Sequence, residues 1–102
     1  MNVIILDDSL ENFIKSLDKI TLAKVIHKIE LLEKFGNRLE MPHSKKINKD
    51  LFELRISGNL EIRIFFTFYK NKAILLNGFR KKSNKLPKNE INKAINYINN
   101  LD

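Results

Sequence analysis

The middle of the chain constrains the fold most. From Leu51 to Lys82 it runs LFELRI, a break at Ser57-Gly58-Asn59, LEIRIFFTFY, a second break at Tyr69-Lys70-Asn71-Lys72, and AILLNGFRKK. β-Branched and aromatic residues at period two between turn-forming residues predict three consecutive strands and an antiparallel meander. Ile62, Ile64, Phe66 and Phe68 fall on one face of the second strand, and Glu61, Arg63, Phe65, Thr67 and Tyr69 on the other. On the first strand Phe52, Leu54 and Ile56 oppose Leu51, Glu53 and Arg55. One sheet face is therefore apolar, and the other carries Glu53, Arg55 and Arg63 among apolar neighbours.

An apolar sheet face needs a cover, and the N-terminal part of the chain supplies it. After a possible first strand at Val3 to Leu6, the Asp7-Asp8-Ser9 cluster predicts a helix start, with Asp8 and Glu11 at capping-box spacing. Leu10, Phe13, Ile14, Leu17 and Ile20 recur at helical spacing, and Leu22, Val25, Ile26, Ile29 and Leu32 form a second stripe. A break near Asp18 to Thr21 and a stop at Gly36-Asn37 make these a helical hairpin. A polar connector, Arg38 to Asp50, holds His43, Lys45, Lys46 and Lys49. Beyond Lys82, Leu86-Pro87 leads into a third stripe, Ile91, Ala94, Ile95, Ile98 and Leu101. The expected fold is α+β, in the order β-α-α-β-β-β-α, with residues 1–102 as one domain.

Composition narrows the function. The chain has no cysteine, which excludes disulfides and thiolate metal sites, and its apolar runs are too short to cross a bilayer or act as a secretory signal; cytoplasm is the expected compartment. Its formal charge is +7. Residues 1–42 hold six Lys/Arg against seven Asp/Glu, a net of −1, and residues 43–102 hold thirteen against five, a net of +8. This one-sided excess suggests a polyanionic partner, nucleic acid before membrane; a merely solvated lysine-rich surface is the competing explanation. Phosphate-binding glycine loops, HExxH and metal-ligand spacings are missing, so neither metal nor cofactor is expected.

The remaining chemistry is cationic. Arg55 and Arg63 project from adjacent strands on one face, and guanidinium groups bind phosphate oxygens in bidentate fashion. Glu53 either pairs with an arginine to order the sheet, aligns it for function, or accepts a proton. Arg80, Lys81 and Lys82 close the third strand beside Phe79, an arrangement that suits stacking and phosphate contact with single-stranded RNA. By strand alternation Arg80 and Lys82 point one way and Lys81 the other, unless the strand has ended. RNA cleavage by its own 2′-hydroxyl needs a base, cations around the developing phosphorane and an acid for the leaving 5′-oxygen, and none of these requires a metal.

The series LFELRI, EIRIFF, LLNGFRKK and LPKNEINKA resembles the RelE/HigB superfamily of type II toxin–antitoxin toxins, nearest its phage-derived HigB-like branch, over the whole chain. This resemblance implies a small twisted, mostly antiparallel sheet with the hairpin on one face and a C-terminal helix. It also implies a ribosome-dependent mRNA endonuclease neutralised by a cognate antitoxin, commonly a helix-turn-helix protein. On that reading Arg63 contacts the scissile phosphate, and Arg55, Lys81, Lys82 and Glu53 complete the catalytic set. Lys45, Lys46 and Lys49, with Phe79 and Arg80, would bind RNA. Some relatives carry a terminal tyrosine or histidine acid/base, for which only Tyr97 is available here. The ParE-like gyrase inhibitors share the fold and remain an alternative, as does a non-catalytic binding module.

Overall fold

The computed structural model describes Met1–Leu101. Its elements are β1 (Asn2–Ile5), α1 (Asp8–Lys15), α2 (Lys19–Phe35), a short 3₁₀ turn (Gly36–Arg38), β2 (Ser44–Lys46), β3 (Phe52–Ile56), β4 (Ile62–Tyr69), β5 (Lys72–Arg80) and α3 (Lys88–Asn99). The five strands form one sheet in the order β1-β5-β4-β3-β2, with β1 parallel to β5 and every other pairing antiparallel. The expected order lacked one element, because β2 lies within the stretch read as a connector. Ser44-Lys45-Lys46 has no apolar alternation of its own and becomes a strand only by pairing with Leu54, Glu53 and Phe52.

Local chemistry sets the helix ends. Asp7, rather than Asp8, caps α1, its Oδ1 accepting from the Leu10 amide, and Asp18 caps α2 through the Thr21 amide and hydroxyl. Gly36 ends α2 at φ +57°, a conformation that costs glycine no Cβ clash. Pro87 sits one place before α3 and its carbonyl receives the first helical amides. At the β4–β5 hairpin, Lys70 and Asn71 both take positive φ and Tyr69 pairs directly with Lys72, a two-residue turn whose twist matches that of the strands.

Each sheet face has its own core. Leu10 and Ile14 of α1 and Val25 and Leu32 of α2 cover Leu54, Ile56, Ile62, Ile64, Phe66, Ala73 and Leu75, as the apolar face predicted. Two residues assigned to the inward stripes face water instead: Ile20 is 66% exposed, and Ile26 is also exposed, because α2 turns Thr21, Val25 and Leu32 inward. On the opposite face α3 lays Ala94, Ile91 and Ile98 over Leu51, Phe65, Ile74, Leu76 and Phe79. No helix among the described residues is long and apolar enough to cross a membrane.

One irregularity decides where the end of β5 points. Phe66 pairs with Leu75 but Phe65 pairs with Asn77, so Leu76 is an extra residue and the strand bulges. Simple alternation would have put Asn77 under the hairpin. The bulge turns it to the α3 side, where its amide donates to the Glu90 carbonyl and side chain at 3.1 and 3.0 Å. It also brings Gly78 beneath α1, where a Cβ would lie 2.9 Å from the Phe13 ring. Any other residue there would have to push the Phe13 ring aside.

Candidate functional site

The charged residues of β3 and β4 gather on the face away from the hairpin, beside the α3 core. Arg55 and Arg63 are direct cross-strand neighbours, a like-charge juxtaposition that a sheet does not tolerate without a counterion. Glu53 supplies it. Its Oε1 lies 3.9 Å from Arg55 Nε and its Oε2 3.9 Å from Arg63 Nε, so one carboxylate is the shared counterion of both guanidinium groups. Glu53 is 3% exposed and Arg63 only 2%. Lys45 stands opposite Glu53 on β2 and extends the charge to the sheet edge, while Arg55 Nη1 reaches Met41 Sδ at 3.3 Å.

Arg63 is the most enclosed of these groups. Its Nη1 donates to the Ile62 carbonyl at 3.0 Å and lies 3.5 Å from the Ile56 carbonyl, and its Nη2 donates to Glu61 Oε1 at 3.2 Å. Its Nε is buried without a hydrogen-bond partner, as is Glu53 Oε2 facing it. Buried polar atoms of this kind are costly and uncommon, and they gather where a site is held ready for another group. Burial thus makes Arg63 a fixed charge that lines a cavity from within, rather than a freely exposed phosphate ligand.

That cavity, about 270 Å³, is bounded by Glu61, Arg63, Lys81, Lys82, Ser83 and Asn84. Strand β5 ends at Arg80, and the Lys81 amide makes a last bond to the Glu61 carbonyl at 2.7 Å. Released from alternation, Lys81 and Lys82 both line the cavity. Glu61 forms its rim, with its side chain 42% exposed and tied to the Ser57 hydroxyl at 3.2 Å and the Gly58 amide at 3.3 Å. Partial burial opposes the charge on Glu61, but the Gly58 amide, the Ser57 hydroxyl and Arg63 outweigh it and hold its pKa below the ordinary carboxylate value.

Several expected RNA-binding residues lie elsewhere. Phe79 offers no face for stacking: it is 7% exposed, its ring set edge-on to Phe65 at 5.1 Å in the α3 core. Arg80 pairs with Ile62 and so belongs to the hairpin side, exposed, because the bulge reversed the parity of the strand end. Lys46 also turns to that side, its ammonium 5.9 Å from the Phe52 ring, a cation–π contact. Lys49 is exposed in the loop before β3, where Asn48 Oδ1 accepts the Asp50 and Leu51 amides. Tyr97 packs in the α3 core with its hydroxyl 3.5 Å from Asp7, remote from the cavity lining.

Three features went beyond what the sequence showed. Period-two spacing put Glu61 on the Arg63 face of the second strand, but Glu61 precedes β4, and nothing in spacing showed that the 57–61 turn ties its carboxylate to Ser57 and Gly58 as well as to Arg63. Ser83 and Asn84 had no expected role, and both line the cavity. His43, placed by the sequence in the polar connector, has its Nδ1 2.8 Å from Lys28 Nζ across the α2–β2 boundary. Burial first, then Lys28 and His27, lower the His43 pKa, and burial lowers that of Lys28.

Residues 12–99 match the phage derived protein Gp49-like family. The chain belongs to that family, which is RelE/HigB-like. Its fold is also that of the Escherichia coli toxin RelE, as seen in the free-state structure of a double mutant. The two superpose with a TM-score of 0.70 over 95% of this chain and 96% of the other, at 9% sequence identity. Among curated proteins none matches this sequence. Gp49-like membership and the RelE fold together establish the superfamily and the α+β architecture.

Proposed function

We propose that this Gp49-like chain is the toxin of a type II toxin–antitoxin pair and acts as a ribosome-dependent mRNA endoribonuclease. The observation that carries the reading is the charged cluster: a buried, pre-positioned Arg63 at the wall of a cavity that Lys81 and Lys82 share, on a RelE-type sheet. Cations fixed around a phosphate stabilise the phosphorane without reorganising at the moment of reaction, which is where such catalysis gains most.

The residues divide the work. Arg63, Lys81 and Lys82 receive the scissile phosphate and its developing charge. Arg55 and Lys45 continue the positive band toward the β2 edge and hold the flanking strand. Glu53 is a positioning residue, since its carboxylate is spent keeping two arginines side by side. The RNA 2′-oxygen attacks phosphorus, its proton leaves to a base, the P–O5′ bond breaks, and the 5′-oxygen takes a proton from one of the two ammonium groups that line the cavity, Lys81 or Lys82. The products are a 2′,3′-cyclic phosphate and a 5′-hydroxyl end. Decoding-site mRNA on a ribosome would supply the substrate in the cytoplasm, and a cognate antitoxin, a helix-turn-helix protein, would hold the toxin inactive.

The test is 5′-end mapping of mRNA from cells briefly induced for this chain, beside Arg63→Ala and beside the double variant Lys81→Ala/Lys82→Ala. Because Arg63 is buried, the double variant keeps the test independent of folding. Cuts confined to translated regions and lost in both variants are expected, each lost charge donor lowering turnover about 10²- to 10³-fold. Intact mRNA with arrested growth would replace this reading with gyrase inhibition, and intact mRNA with normal growth would leave a non-catalytic binder.

A further inference from the structure

The group nearest to an entering phosphate is one the protein itself provides. Arg63 has five N–H donors. Its Nη1 is engaged with main-chain carbonyls and its Nε faces the buried Glu53, so Nη2 is the nitrogen directed to the rim, where Glu61 Oε1 takes its bond at 3.2 Å. Glu61 does not drift there. The Ser57 hydroxyl and the Gly58 amide hold the same carboxylate from the opposite side, and Lys81 pins its main chain. With Glu53 and Glu61 both against it, Arg63 meets two carboxylates before any ligand arrives, although the cavity it lines carries two further lysines.

We propose that Glu61 is an internal competitor for phosphate: its carboxylate occupies the anion position on Arg63, and a substrate phosphate binds only by displacing it. This rests on the phosphate site assigned above. It explains a buried arginine beside a cavity of about 270 Å³ that is otherwise built for an anion. It also requires the exchange to be cheap, and the geometry agrees, because Glu61 is half-exposed and its departure leaves Ser57 and Gly58 in contact with water. The site is therefore charged but self-screened until an anion able to engage Arg63, Lys81 and Lys82 together outcompetes the Glu61 carboxylate. A phosphodiester flanked by further phosphates satisfies that condition better than any monovalent carboxylate.

The decisive experiment titrates inorganic phosphate into the purified full chain and follows the Arg63 Nε–Hε NMR resonance, assigned with Arg63→Lys. Glu61→Gln retains the size of the side chain and removes its charge. Glu33→Gln makes the same change in net charge on the exposed surface of α2. The expected result is phosphate affinity raised about twofold to fivefold in Glu61→Gln, as for the loss of one half-exposed ion pair, with Glu33→Gln unchanged. Glu61→Asp, which keeps the charge but falls short of Nη2, should bind phosphate between wild type and Glu61→Gln, and covers the case in which glutamine disturbs the turn. No gain in either Glu61 variant, or an equal gain in Glu33→Gln, overturns the proposal. The phosphate arm stands apart from the ribonuclease reading. A gain in Glu61→Gln without mRNA cleavage by wild type supports the competitor and removes the enzyme; cleavage by wild type without that gain does the reverse.

Discussion

On the hairpin side of the sheet every inward side chain of β3 and β4 is hydrocarbon, whereas the other side buries Glu53, Arg63, Thr67 and Asn77 among Leu51, Phe65 and Phe79. The first face is held by area and packing alone, and three of its rings, Phe52, Phe66 and Phe68, stack or meet edge-on within 5.5 Å. The second is held by specific partners: Asn77 by Glu90, Thr67 by the Asp50 carbonyl at 2.6 Å, and Arg63 by two carboxylates. Packing tolerates neighbours of any kind that fill the space. A buried charge tolerates only its counterion, so the second face is where this fold spends stability on chemistry.

That contrast can be broken most sharply at Phe66. Phe66→Ala removes a buried ring from the hairpin core and should cost about 3–5 kcal/mol in urea unfolding. Phosphate binding by the fraction that remains folded should be unaltered. A change in intrinsic phosphate affinity would mean that the two faces are coupled through β4.

Glu53→Gln tests the other face. Removing one member of a buried ion pair costs roughly 3–5 kcal/mol. The expected loss here is near the lower end, because Glu61 and the Ile62 carbonyl still hold Arg63. An unchanged unfolding midpoint would show that Arg55 and Arg63 do not need their shared counterion, and would return Glu53 to the role of proton acceptor.

Asn77→Ala removes the hydrogen bonds to Glu90 and should cost about 1–2 kcal/mol, with faster hydrogen exchange along α3. If exchange in α3 is unaffected, Asn77 is not what fastens that helix to the bulge.

The smallest effect is expected at the α2–β2 boundary and depends on pH. His43 has a folded pKa below its ordinary value of 6.5, so the unfolded chain binds its proton more readily. Its contribution is fully present above the unfolded pKa and is lost as pH falls through the lowered folded pKa. Melting temperature should decline over that range in wild type and less so in His43→Asn, whose amide oxygen can still accept from Lys28. Equal declines in the two proteins would place the pH dependence elsewhere.

How far the residues could be read in advance follows from the range of the forces involved. Period-two alternation on β3 and β4, the helical stripes and Gly36 are local signals, and the hairpin, the meander and the apolar face followed from them. Arg55, Glu53 and Arg63 could be put on one face because a strand without an irregularity keeps its parity. Where parity breaks, reading from spacing fails: the extra Leu76 sent Arg80 to the wrong side for RNA and buried Phe79 beside Phe65.

The sequence by itself determined the three meander strands, the helices and a band of cations on one sheet face, since each depends on neighbours a few residues apart and on the energetic need to bury hydrocarbon, whereas β2 exists only through its pairing with β3. Only the tertiary structure decided which of those cations share a cavity, that Arg63 is enclosed, and that Glu61 lies upon it. Those outcomes rest on a bulge, on a strand's last hydrogen bond and on a turn folding back, contacts whose energies are small beside the core and which no periodicity records.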